Sequence, residues 1–75
     1  MNNGNRYDNR ERIGRRLRAV RTGLGWSVEQ VARMADIKAV TLEKIEAGVF
    51  GASVDVLEAI CDVLGVRVDI VEKSN

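Results

Sequence analysis

The sequence predicts an all-α domain, a compact bundle of four to five helices with a single β-strand at its C-terminal end. Three observations carry this expectation. Residues 26–48, WSVEQVARMADIKAVTLEKIEAG, hold two short amphipathic helical patterns separated by a tight polar turn. The flanking stretches, Ile13 to Val20 and Val54 to Leu64, repeat apolar residues at helical spacing and run into glycines. The last apolar run, Val66-Arg67-Val68-Asp69-Ile70-Val71, alternates with period two instead.

In chain order, residues 1–9 show no apolar period and predict a flexible basic arm whose only large side chain is Tyr7. From Arg10 to about Thr22, Ile13, Leu17 and Val20 recur at helical spacing. The first helix therefore lays one stripe on the core and turns its arginines outward. Gly23 and Gly25 end it, and Trp26 is expected to plug the core beneath the first two helices. Ser27-Val28-Glu29-Gln30 then reads as a capping box, the Ser27 hydroxyl accepting from the Gln30 amide while the Gln30 side chain reaches back. Val31, Ala32 and Ala35 follow on one face. Asp36 tolerates the left-handed conformation that a sharp turn needs, and Ile37 points inward. The next pattern sets Leu42 and Ile45 three apart and stops at Gly48, with Lys38, Ala39, Val40, Glu43, Lys44 and Ala47 on its other face.

After the loop VFGA, where Phe50 is expected to pack back over the bundle, Ser53 caps a fourth helix. Asp55, Glu58 and Asp62 form one narrow stripe on it. Leu57, Ile60, Cys61 and Leu64 suffice for the core, which leaves Val56, Val63 and Ala59 for a second surface. Gly65 closes the 10–65 domain. Residues 66–72 then read as a strand and 73–75 as a tail. A lone strand has unpaired backbone groups, and a second copy of the chain supplies the simplest partner. Antiparallel pairing about a two-fold axis at Val68 sets Arg67 against Asp69 and Val66 against Ile70. The expected homodimer interface is thus Val56, Val63, Val66, Arg67, Val68, Asp69 and Ile70.

The chain has 75 residues, enough for one domain with a marginal core that a partner subunit would help. No apolar run approaches the length of a membrane span and no secretion signal opens the sequence, so a cytoplasmic protein without a membrane partner is expected. One cysteine and no histidine allow neither an internal disulfide nor a zinc set, and no cofactor is expected. Cys61 reads as a small core residue. No nucleophile stands beside a base, and no glycine loop could cradle a phosphate, so the sequence argues against an enzyme. The net charge of +1 hides an uneven distribution. Arg6, Arg10, Arg12, Arg15, Arg16, Arg18 and Arg21 stand against Asp8 and Glu11, while everything after Arg21 is net acidic. Arginine without lysine favours phosphate partners, because the planar guanidinium suits phosphate oxygens better than an ammonium does.

The segment from Ile13 to Leu64, about two thirds of the chain, resembles the small helix-turn-helix domains of phage repressors and Cro proteins, the XRE family. The resemblance rests on an ordered set: IGRRLRAVR, Gly25-Trp26-Ser27, Val31-Ala32, Ile37, Leu42, Ile45-Glu46-x-Gly48 and VLEAICDVLGV. It implies a repressor-like bundle whose third helix, roughly Ala39 to Ala47, enters the DNA major groove. It also implies that Arg21, near the end of the first helix, pairs with Glu46, near the end of the third. A dimer of such domains holds two third helices about one turn of DNA apart and reads a palindromic operator. Some relatives are antitoxins, and the C-terminal strand resembles those that pair across their dimers, so a cognate toxin is a candidate partner beside double-stranded DNA.

Relatives commonly place Gln at position 28 and polar side chains at 39 and 40, where this chain has Val28, Ala39 and Val40. The implied base contacts are then Lys38, Thr41 and Lys44, with Ala39 and Val40 limited to thymine methyl groups. Ser27 and the amides of its helix are left for a phosphate, and Arg6 and Arg10 would follow the backbone or enter the minor groove. Glu43 repels phosphate. The alternative is a protein-interaction module on the same scaffold, presenting Ala39, Val40, Ala47 and Phe50 to another protein, with weak or no specific DNA binding.

Overall fold

The computed structural model describes residues 5–49 and 51–67, with side chains from residue 9 onward. Four helices follow one another: α1 Asn5–Gly23, α2 Val28–Met34, α3 Ala39–Glu46 and α4 Val54–Leu64. Helices α1 and α2 both pack against α3 and against α4. Leu17 of α1, Val31 and Ala32 of α2, Leu42 and Ile45 of α3, and Ile60, Cys61 and Leu64 of α4 meet in one core, with Ala35 beside them. The apolar stripes read along the sequence thus converge. Leu42, Ile60 and Val31 are fully buried, and each removes about 1.5–3 kcal/mol worth of apolar surface from water. The Cys61 thiol is free, and burial raises its pKa, with the charges of Asp62 and Glu58 acting in the same direction. It stays protonated as a small apolar filler.

Each helix ends by one device. A residue of positive φ, Gly25, Asp36, Gly48 or Gly65, follows the last turn, and the amide after it bonds back five residues. These bonds are Trp26 N to Arg21 O, Ile37 N to Ala32 O, Val49 N to Lys44 O and Val66 N to Cys61 O, at 2.9–3.2 Å. This is the Schellman arrangement, which satisfies carbonyls the helix leaves open and turns the next residue back on the bundle. Asp36, at φ 59°, is the only non-glycine residue described in that conformation. Its short polar side chain makes the left-handed region accessible. Trp26 and Ile37, the residues so turned back, are half-buried against the core.

Two expectations change. Helix α1 begins at Asn5 and not at Arg10, so residues 5–9 of the expected flexible arm are helical. Their sequence, Asn5-Arg6-Tyr7-Asp8-Asn9, carries no apolar period, which hid them from the periodicity argument. Once a helix is nucleated, adding turns costs little where no proline or glycine intervenes. Among the described residues there is also no strand: Val66 and Arg67 lie outside both helix and sheet. A single chain offers the alternating segment no ladder to join. The remainder of that segment, with Val68, Asp69 and Ile70, lies outside the described residues, as do Phe50 and the side chains of Arg6 and Tyr7. No helix among the described residues is long and apolar enough to cross a membrane.

Candidate nucleic-acid interface

The pair α2–α3 is built from local signals. Ser27 accepts from the Gln30 amide at 3.0 Å, and the Gln30 side-chain oxygen accepts from the Ser27 amide at 2.8 Å. That capping box starts α2. Accepting from an amide leaves the Ser27 hydroxyl proton available for a second partner, and the residue is exposed. The Asp36 turn then sets α3 across α2.

Leu42, Ile45 and Glu46 form the inner face of α3, while Val40, Glu43, Lys44 and Ala47 form its outer face. Lys38, Thr41 and Lys44 recur every third residue and trace one sloping edge beside that face, Lys38 and Lys44 exposed and Thr41 half-buried. Val40 is 50% exposed. Ala39 is half-buried and packs against the core. Val28 is also half-buried on the core, which gives the valine at that position a packing role.

Lys38 stands at the N-cap of α3 and makes no capping bond. A lysine there leaves a first-turn amide uncapped and places a positive charge at the positive end of the helix dipole.

Arg21 and Glu46 hold α1 on the inner side of α3. The Arg21 Nε donates to Glu46 Oε2 at 2.7 Å and Nη2 donates to Oε1 at 2.8 Å, a fork-to-fork pair. Nη1 donates to the Trp26 carbonyl at 2.9 Å, tying in the turn before α2. The side chains are only 11% and 7% exposed. Hydrogen bonding to Glu46 raises the Arg21 pKa against the opposing effect of burial, and the charges of Glu46 and Glu29 add to the rise. The pair is charged and fully engaged, and its role is architectural.

Gly14 makes that approach possible and was not singled out from the sequence. A Cβ at Gly14 would collide with the carbonyls of Ile45 and Glu46, 2.5 Å from the latter's oxygen. A Cβ at Gly48, just past α3, would likewise collide with Glu11, 2.8 Å from its Cα. A glycine in mid-helix costs about 1 kcal/mol relative to alanine, and that cost was the available signal.

Arg10 is half-buried and lines a cleft of about 350 Å³ with Asn9, Ile13, Ile45, Gly51, Ala52 and Leu57. It is a wall of the bundle and not the end of a loose arm. Val56 and Val63 of the expected dimer interface are half-buried against the core, and Val66 and Arg67 are exposed.

A family model described as a helix-turn-helix domain matches residues 12–72. The chain belongs to this helix-turn-helix family. A search of curated proteins found no match. Within the helix-turn-helix domain, α2 and α3 are the paired helices, and the family is one of DNA-binding domains.

Proposed function

We propose that this domain is a sequence-specific transcriptional regulator, a cytoplasmic repressor that binds a palindromic operator as a homodimer, with an antitoxin role and a cognate toxin as one form of that function. The observation that carries the reading is the exposed edge of Lys38, Thr41 and Lys44 on an α3 braced from behind by Arg21 and Glu46. Lys38 adds support. A residue set against local helix preference marks a position kept for something other than stability. In this reading Lys38, Thr41 and Lys44 reach base edges, Ala39 and Val40 touch thymine methyl groups, and Ser27, Arg6 and Arg10 hold phosphates. Homodimerisation rests on the self-complementary order of Val66 to Ile70, with Val56 and Val63 beside it. The function involves neither catalysis nor a cofactor.

The half-exposed Val40 in the middle of the outer face favours a second reading, a protein-interaction module on the same scaffold. An anisotropy titration against a random-sequence duplex pool at two salt concentrations, followed by selection and sequencing of bound duplexes, separates the two. Tight, salt-sensitive binding with an enriched palindrome is expected, and Lys44→Ala should weaken it. If Lys44 contacts a phosphate, the salt slope also falls by about one. Weak binding with no enriched site would reject the regulator in favour of the interaction module, whose partner binding Val40→Asp should abolish.

A further inference from the structure

Base reading by α3, as proposed above, leaves most of the charge on α1 unused. Arg12, Arg15, Arg16 and Arg18 are exposed. Arg12 donates only to Asn9, at 3.2 Å, and the other three have no hydrogen bond or ion pair among the described residues. At about 100° per residue the four spread over about 160° of the helix, and the core stripe of Ile13, Leu17 and Val20 lies outside that arc. Glu11 is the only carboxylate among the described side chains of α1, and it forms no ion pair there.

This arrangement works against the helix that carries it. Arg12 stands three and four residues from Arg15 and Arg16, and Arg15 stands three from Arg18, the spacings at which like charges repel on a helix surface. Gly14, in the same stretch, already weakens the helix. A cluster kept against local stability fits an external anion that relieves the repulsion. Planar guanidiniums, with no lysine among them, suit phosphate oxygens. The four span about 9 Å of helix axis, a length over which a duplex carries about five phosphate charges. Protein surfaces ordinarily intersperse both signs. No described side chain of α1 is an aromatic ring on which an unpaired base could stack. The backbone of a duplex is the polyanion that fits.

We propose that Arg12, Arg15, Arg16 and Arg18 form a second, sequence-independent DNA contact, holding backbone phosphates while the edge of α3 reads bases. The inference rests on the DNA-binding part of the reading above. It adds affinity and salt sensitivity without adding selectivity. The phosphates belong either to the duplex on α3 or to a second one.

Wild type, R12Q/R15Q/R16Q/R18Q, and that variant with D55N/E58Q/D62N added would be titrated against a random-sequence duplex between about 50 and 200 mM salt. Glutamine matches arginine closely in helix propensity and all seven positions are exposed, so the fold is retained. The arginine variant should flatten the log-log salt slope by about three, and the wild type should lose about 100-fold more affinity than the variant over that range. Each single substitution should flatten the slope by up to about 0.9. Removing four positive charges takes the net charge from +1 to −3, and removing the three carboxylates of α4 returns it to 0. A slope that stays flat in the sevenfold variant therefore assigns the contact to α1. An arginine variant with the wild-type slope, or a slope restored by the changes on α4, overturns the proposal. Selection from a duplex pool tests the regulator separately. An enriched site upholds the regulator whatever the slope does, and a flattened slope with no enriched site upholds the arginine contact while the regulator fails. No binding to any duplex overturns both. Capture of a labelled duplex by protein held on an immobilised one, lost in the arginine variant, assigns the phosphates to a second duplex. A flattened slope without capture assigns them to the duplex on α3.

Discussion

Among the described residues, Arg21 and Glu46 are the charged side chains taken into the interior, and their two parallel hydrogen bonds decide whether that burial is tolerable. Burying either charge alone is costly, because the desolvation penalty remains after the partner is gone. Glu46→Ala should therefore destabilise the domain by about 3 kcal/mol, near the lower end for a broken buried pair, since Arg21 keeps its bond to the Trp26 carbonyl. Replacing both residues by apolar ones of similar volume should cost far less. Urea unfolding of the single and double variants checks this, and a cost below about 1 kcal/mol for Glu46→Ala would show that the pair behaves as a surface one. Both members were legible in the sequence through the family pattern. Their bidentate geometry and the third bond to Trp26 were not, because they depend on how α1 and α3 are rotated against each other.

Helix α1 sits on the end of α3 with no room for a methyl group at Gly14. Two effects oppose each other in Gly14→Ala. Alanine is favoured over glycine in a helix interior by about 1 kcal/mol, but its Cβ would meet backbone carbonyls that cannot move aside like a flexible side chain. Overpacking of this kind costs about 1–3 kcal/mol, so the variant should lose stability. Gly23→Ala, in the same helix with nothing within 4 Å, should be neutral or slightly stabilising. Thermal unfolding of both variants gives the comparison, and a stabilised Gly14→Ala protein would mean that α1 lies farther from α3. The caps of α2 and α4 and all four helix ends could be read from single residues, since capping involves partners only a few positions apart. The first turn of α1 could not, because its sequence offers no apolar period to detect.

A chain of this size has a small core, and its proposed dimer would supply further burial. Deletion after Gly65 should give monomers in sedimentation at micromolar concentration where the intact protein sediments as a dimer. An intact protein that sediments as a monomer would refute the interface drawn on Val56, Val63 and residues 66–70. Taken alone, the sequence determined the helices, their caps, the residues of the core and the candidate recognition helix. The helices, caps and core follow from periodicity and from contacts between residues no more than about four or five apart, and the candidate recognition helix from the family resemblance. Only the tertiary structure decided that Ala39 and Val28 turn toward the core, that Arg10 lines a cleft, and that Gly14 is a point of helix contact. Those features depend on the rotation and spacing of one helix against another, which side chains distant in the chain settle together when they pack.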